Sequence, residues 1–425
     1  MGRSVLMICD TFPPQGYVGG LRPGMFSKYL PRFGWEPVAL VTDVPAGDPE
    51  DSPTLVVDGL PDSARVLRVP FGTQDKKRAA ARAGAMRRFR RLLRPEVSHP
   101  RGVYDKMARE ANSLLRNRHF DAVWATVPNL WPIRLAAELA AWRGVPWVAD
   151  LRDISEQQAG QNGALRAKLL HQRMRWRRRQ LLRSAAAIVT VSNYHAAVLA
   201  RHNGRNVHVI RNGFDPDMFP QHENTKRFAK FSIVYMGRIL SAWLQEPRPL
   251  FAALDRMLNS GEINAEDVEI SFYGTDPRKL GELAAPFQCR SLIHAEPRIS
   301  YDQVPDVLRR SCMLLLLTNR GRHGILTTKL FEYMAARRPI LCVPGDGGEL
   351  DALIADTKGG QSCPTVESII DVLRGWYQEW LATGSVSCNS RDEVVMRYSR
   401  KEQAGQLARI LDAVVDGTAD YPDAR

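Results

Sequence analysis

Cysteine is scarce and unpatterned in this chain. The six residues (Cys9, Cys289, Cys312, Cys342, Cys363, Cys388) are scattered, with no CxxC pair and no metal-ligand spacing. Most lie in or beside apolar runs, where a free thiol behaves as a small hydrophobe. This usage excludes a disulfide framework and points to the reducing cytosol. Long apolar runs are missing too: none approaches the roughly 18–20 residues that span a bilayer. The opening MGRSVLMICD passes straight into a strand pattern, with no h-region or cleavage site, so no signal peptide is expected. Leu6 occupies the position where a myristoylation signal needs Ser or Thr. A GxGxxG spacing is absent from the glycine-rich first loop, which leaves the dinucleotide-oxidoreductase fingerprint unmet. No DxD-like pair sits beside a strand end.

What is present is a long, mixed, basic chain. At 425 residues it exceeds the size at which one hydrophobic core keeps growing, so two domains are expected. Apolar content of 44% and charged content of 25% are ordinary for a globular protein. The net charge of +13 is unevenly spread. Residues 76–94, KKRAAARAGAMRRFRRLLR, hold nine Lys/Arg and no acid, and residues 166–183, RAKLLHQRMRWRRRQLLR, hold eight and no acid. The rest of the chain is therefore net negative. Apolar residues interleave both stretches at helical spacing, and basic amphipathic helices read as membrane-surface elements. RNA is the rival ligand for Arg-rich helices, but no recognised nucleic-acid module accompanies them, so no nucleic acid is expected.

Strand and helix patterns alternate from end to end. Candidate strands 4–9, 38–42, 65–69, 121–126, 147–150, 187–191 and 207–210 include continuous apolar runs, as strands buried on both faces do. Helical patterns at 23–33, 104–118 and 133–143 lie between them. The alternation restarts after residue 220 with strands 232–236, 268–273, 291–294, 313–317 and 339–343. Alternating β and α elements imply parallel sheets covered by helices. Between the halves, RNGFDPDMF (211–219) is a turn cluster and is read as the linker. A last helix is expected over 399–415.

The segment ILTTKLFEYMAARRP (325–339) follows the buried strand 313–317 and a glycine-containing loop, 319–324. Its helix opens with Thr327 and Thr328 and puts Lys329, Glu332 and Tyr333 on one face. In an open α/β sheet, that crevice binds nucleotide ligands. The helix N-terminus offers free N–H groups and a positive dipole end to phosphate, and a carboxylate one turn in can accept from sugar hydroxyls.

Several segments together resemble the retaining GT-B glycosyltransferases of family four. They are DTFPPQGYVGGLRPGMFSKYLPRFGWEPVALVTD, VPWVADLRDISE, IVTVSNYHAAVLARH, VHVIRNGFDPDMF, IVYMGRIL with EPRPLFAALDRML, FYGTDP, and KLFEYMAARRPIL with GGELDALI. They occur in family order and cover almost the whole chain. The resemblance implies an α/β GT-B fold, two Rossmann-like domains facing across a cleft. Residues 1–212 would bind the acceptor and 213–395 the nucleotide-sugar donor, with the helix and tail 396–425 packing back toward the first domain.

The resemblance also implies site residues. Gly19 and Gly20 would border the donor diphosphate and transferred sugar, with Arg22 nearby as an extra donor. Gly237 and Arg238 close a strand, and a guanidinium fork there suits a pyrophosphate. The lysine that the family adds a few residues later is missing from 239–243; Lys329 is expected to replace its charge. Of the family's two acids eight positions apart, Glu332 matches the ribose ligand, while Gly324 stands where the sugar-hydroxyl ligand would be. Sugar contacts would then come from loop backbone or from Arg320, Arg322 or His323. Gly274 and Thr275, together with Arg298 and Ile299, would frame the nucleobase. Glu349, after Gly347 and Gly348, either anchors the donor sugar or caps its own helix. Asp150, Arg152 and Asp153 lie on the acceptor side, and Asp153 is the candidate acid/base or acceptor-hydroxyl ligand. Asp153, Arg238 and Lys329 are the expected catalytic set, with no metal.

The expected function is retaining transfer of a sugar from a nucleotide-diphosphate sugar to a lipid-linked or polysaccharide acceptor in surface glycan synthesis. It would occur in the cytoplasm, or peripherally on an anionic membrane contacted through 76–94 and 166–183. A nucleotide-sugar 2-epimerase, or a degenerate GT-B protein acting as an RNA or membrane scaffold, is the alternative.

Overall fold

The apolar runs form two parallel sheets, one in each of two compact units. The computed structural model describes residues 2–14, 18–43, 57–60, 65–70, 101–127, 130–154, 156, 165–220, 225–239, 244–319 and 321–418. Unit 1 comprises Met1–Arg211 with Arg400–Arg425, and unit 2 comprises Asn212–Ser399. The fold is α/β and of the GT-B type.

In unit 1 the strands are β1 (Arg3–Cys9), β2 (Trp35–Asp43), β3 (Val66–Pro70), β4 (Ala122–Val127), β5 (Trp147–Leu151), β6 (Ala187–Thr190) and β7 (His208–Val209). Among the described residues they form one sheet in the order β3-β2-β1-β4-β5-β6-β7, every pair parallel. Strands β4, β5 and β6 are buried at every position, because helices cover both faces. The helices are α1 (Leu21–Tyr29), α2 (Arg101–Asn117), α3 (Trp131–Arg143), α4 (Leu165–Leu182) and α5 (Asn193–Asn203). Stop signals read directly: Gly144 and Gly204 end α3 and α5 in the left-handed region.

In unit 2 the strands are β8 (Phe231–Met236), β9 (Val268–Tyr273), β10 (Ile293–Glu296), β11 (Met313–Leu317), β12 (Ile340–Val343) and β13 (Gly360–Ser362). Their order is β10-β9-β8-β11-β12-β13, again all parallel. The helices are α6 (Arg248–Asn259), α7 (Pro277–Ala284), α8 (Val304–Arg310), α9 (Thr328–Ala336), α10 (Glu349–Thr357), α11 (Val366–Thr383) and α12 (Asp392–Met396). Strand order reverses between β8 and β11, so connections leave in opposite directions and open a crevice at the carboxyl ends of those two strands. In unit 1 the reversal lies between β1 and β4.

Two boundaries differ from the sequence reading. Residues 213–219 are no free linker: Phe214 and Phe219 are buried in unit 2 and meet edge to face at 6.0 Å. Asp215 caps the short turn Pro216–Met218 by accepting from the Asp217 N–H. Residues 396–399 also stay with unit 2, where Tyr398 lies 5.4 Å from Phe331. The chain re-enters unit 1 at Arg400 as α13 (Arg400–Val415). Leu407, Leu411 and Val414 of that helix are buried, and burial of such side chains stabilises by about 1.5–3 kcal/mol each. Asp412 accepts from Arg3 at 2.7 Å and from the Trp35 indole at 3.1 Å. Gly405 permits close approach, since a Cβ there would meet Phe33 at 3.0 Å.

The basic stretch 76–94 lies outside the described residues. The second one forms α4, but its apolar residues do not gather on one face, contrary to the amphipathic expectation. Leu169 and Trp176 are exposed, whereas Arg178 is buried and binds both carboxylate oxygens of Glu156 at 2.7 and 3.0 Å. No described helix is long and apolar enough to cross a membrane.

Candidate functional site

The switch point of unit 2 is built from the ends of three strands. At the end of β8, Gly237 adopts φ +115°, open to glycine and strained for other residues. Its N–H donates to the Tyr273 carbonyl at 2.7 Å, and its own carbonyl accepts from the buried Thr275 hydroxyl at 2.7 Å. Gly274, at φ +75°, donates to the Glu296 carbonyl at 2.9 Å, lacing β9 to β10. A Cβ on Gly274 would lie 3.5 Å from the Arg298 stem. This lattice fixes where the next side chain, Arg238, emerges. Arg238 is exposed at the strand's carboxyl end. Arg298 is close enough that burial, then repulsion from Arg238, holds its guanidinium below the usual range. Ile299 is half-buried and packs on the core beneath.

From the other side of the switch comes α9. Its N-cap, Thr327, is extended and makes no side-chain cap, so the first turn receives no capping oxygen from its own N-cap. Thr327, Thr328 and Lys329 are half-buried. The Lys329 amine donates to the Tyr235 hydroxyl at 2.9 Å and sits 4.3 Å from that ring's centroid. Burial lowers its pKa to about 8, with Glu332 opposing the shift. Glu332, one turn in, is buried and accepts from the Tyr301 hydroxyl at 3.0 Å. Tyr333 accepts the Met236 N–H at 2.8 Å, tying α9 to β8. Arg238, Lys329 and Glu332 thus converge on one crevice, although 94 residues separate Tyr235 from Lys329.

The loop into α9 explains the departure from the paired acids. Gly324 is buried and holds φ +73°. Arg320 falls outside the described residues; Arg322 is half-buried and donates its N–H to the Asn319 carbonyl at 3.0 Å, and His323 is exposed.

A different acid caps the helix that Glu349 opens. Asp346 accepts from the N–H groups of Gly348 at 2.8 Å and of Leu350 and Asp351 at 3.3 Å, so it caps α10. Asp351 in turn accepts from Gly347 N–H at 2.9 Å and the Ser362 hydroxyl at 2.7 Å. Glu349 is half-buried at the helix start. Sequence reasoning missed Asp346, although an acid two residues before a Gly-Glu helix start was the available signal. It also missed Tyr235 and Tyr301, whose strand and turn positions carry no polar signature.

In unit 1 the largest correction concerns Arg22. Its guanidinium is 1% exposed and grips the fully buried Asp150 carboxylate with two bonds of 2.9 Å. A third nitrogen donates to the Arg211 carbonyl at 2.9 Å, and the Thr126 hydroxyl completes Asp150. Arg22 is therefore an internal strut, not a group presented to a phosphate. Arg152 has a similar role: it donates to the Val127 carbonyl at 2.8 Å and to the Gly19 carbonyl at 2.5 Å. That bond sets the first loop, where Gly19 is half-buried and Gly20 is packed on the Phe12 backbone, 3.2 Å from an added Cβ. Gly16 is outside the described residues. Asp153 reaches solvent, yet protein around it raises its carboxyl pKa, opposed by neighbouring Arg152.

His195 opens α5, buried, its ring pKa lowered to about 4 by burial and opposed by Glu156. The unfolded chain, titrating near 6.5, binds more protons between pH 6.5 and 4, so stability falls as pH drops through that window. Urea unfolding at pH 7 and 4.5 should show wild type losing about 2–3 kcal/mol more than His195→Gln. An equal loss in both proteins would remove His195 from the acid response.

Known proteins resemble this chain in one domain family and in fold. Residues 21–213 match the family model described as a glycosyl transferase 4-like domain, which lies in unit 1 apart from its last two residues. Among curated proteins, no relative matches. Of solved structures, Anabaena HepE in complex with UDP-glucose is similar at 15% identity and a TM-score of 0.62, covering 96% of this chain and 99% of that one. Sucrose-phosphate synthase from Thermosynechococcus elongatus is similar at 12% identity and a TM-score of 0.65, covering 98% and 100%. A putative UDP-N-acetylglucosamine 2-epimerase from Listeria monocytogenes is similar at 10% identity and a TM-score of 0.52, covering 98% of each chain. At these identities the likeness is one of fold.

Proposed function

We propose that the protein is a glycosyltransferase that moves a sugar, with retention, from a nucleotide-diphosphate sugar to a lipid-linked or polysaccharide acceptor. The observation that supports it most is the meeting of Arg238, Lys329, the α9 N-terminus and Glu332 at the switch point of unit 2. Two cations and a dipole end suit a diphosphate, and a buried carboxylate behind them suits a ribose. The family match in unit 1 and the UDP-glucose complex of a similar fold favour a sugar nucleotide as the ligand.

In this reading Gly274, Thr275 and Ile299 border the base, while Gly19, Gly20, Gly348 and Glu349 border the transferred sugar. The bond from the anomeric carbon to the β-phosphate oxygen breaks, and the acceptor oxygen bonds that carbon on the same face. The departing diphosphate takes the acceptor proton. Arg238 and Lys329 stabilise the charge that develops on it, which is why we propose that no metal is needed. Asp153 orients the acceptor hydroxyl. We place the reaction in the cytoplasm, with unit 1 docking on an anionic membrane through the positive charge of 76–94 and 166–183, to which exposed Leu169 and Trp176 add apolar contact.

A thermal-shift screen of UDP-, GDP-, ADP- and dTDP-glucose tests the reading. One of them should raise the melting temperature, and Arg238→Ala should weaken that ligand by about 10–100-fold, as loss of a charge-assisted bond does. Unchanged affinity in that variant would move the diphosphate elsewhere. Isomerisation of donor without acceptor would favour the epimerase instead.

A further inference from the structure

Lys329 is seated in a way that a simple phosphate-binding lysine does not require. Its amine lies on the face of Tyr235 and donates to that hydroxyl, which in turn donates to the Arg238 carbonyl at 3.2 Å. Gly237 forms the other wall: a Cβ there would come within 2.7 Å of the lysine Cε and 2.8 Å of its nitrogen. The seat is thus an aromatic face, one phenol oxygen and a bare glycine backbone. Among the described residues, the charged and titratable groups around it are these. Tyr235 comes from β8, Arg238 from the turn beyond, and Glu332 and Tyr333 from its own helix. Arg298, beside Arg238, follows β10, and Tyr301 is bonded to Glu332. Glu332 is the one acid among them; it accepts from Tyr301, and its charge opposes the lowering of the amine's pKa.

We propose that Tyr235 and Gly237 form a seat that keeps the Lys329 amine short of full charge until a diphosphate arrives. Donor binding then takes up a proton, and Tyr235 is a positioning residue for the diphosphate. The inference rests on the donor reading above. An ammonium here gives up water for a ring face and a single acceptor. A diphosphate adds counter-charge beyond that of Glu332, so a proton from solvent joins the nitrogen on binding. With the amine's free-state value at about 8, the uptake is small at pH 7 and grows as pH rises through 8.

The experiment is titration calorimetry with UDP-glucose, or whichever nucleotide sugar the screen identifies, at pH 6.5 and 8.5 in buffers of different ionisation enthalpy. Wild type should take up about three-quarters of a proton at pH 8.5 and bind about fourfold more weakly than at pH 6.5. Lys329→Arg, which cannot discharge, should bind without proton uptake and with a flat pH profile. Tyr235→Phe keeps the ring but removes the acceptor, so affinity should begin to fall at a pH about half a unit lower or more. Binding heats that do not depend on buffer would overturn the proposal while leaving the donor reading intact. No binding of any nucleotide sugar at either pH would overturn both. A Tyr235→Phe protein that folds and keeps the wild-type pH profile would remove the positioning role.

Discussion

Glu332→Ala should lower sugar transfer by about 100–10,000-fold and weaken the nucleotide sugar by a similar factor, since two charge-assisted bonds are each worth about 1.5–3 kcal/mol. The carboxylate is buried, its position fixed by α9 and by the Tyr301 hydroxyl. A ribose diol reaching it would find an acceptor already oriented, with little side-chain freedom left to lose. Glu332→Gln separates charge from shape. It keeps the volume and one acceptor oxygen, so about tenfold loss is expected, with the melting temperature of the unliganded protein near that of wild type. Measuring Kd for the nucleotide sugar and for the free nucleoside diphosphate gives the decisive comparison. Both should weaken, because both carry the ribose. If only the sugar nucleotide weakens, Glu332 contacts the transferred sugar and the ribose must be held elsewhere.

The second large effect falls on stability. Asp150→Asn leaves Arg22 with a buried guanidinium and no counter-charge, and such losses cost about 3–5 kcal/mol. Arg22 cannot swing to water, because it is enclosed and also holds the Arg211 carbonyl. Denaturant unfolding should therefore show the unit 1 transition displaced to much lower urea. The double replacement Arg22→Met with Asp150→Leu removes both charges and should recover most of the loss. If instead Arg22 served a ligand, Asp150→Asn would spare stability and reduce donor affinity.

Burial decides which parts of this fold are legible in its sequence. Strands β1, β4, β5, β11 and β12 were legible because burial on both faces writes unbroken apolar runs. Strand β13 was not: it has three residues, Gly-Gln-Ser, and is held by pairing with β12 alone. Arg238, Lys329 and Glu332 were readable from the ends of elements and from helical spacing. Arg22 was misread because its partner lies 128 residues away, and nothing local to a Gly-rich loop says that its arginine turns inward. The aromatic seat beneath Lys329 was hidden for the same reason, since a tyrosine within a strand reads as core. Asp346 went unnoticed because a loop acid has many possible partners until the turn geometry selects one.

The left-handed backbone at Gly324 has an evolutionary corollary. A glutamate introduced there by a single change would inherit a φ that costs a side-chain-bearing residue about 1–2 kcal/mol. Its carboxylate would gain nothing until the loop was also rebuilt. Ancestry with two acids, or a descendant that acquires them, is thus separated from this chain by at least two coordinated steps, the first of them unfavourable. Selection for a new sugar would find easier routes through the loop's flanking positions than through restoration of the pair.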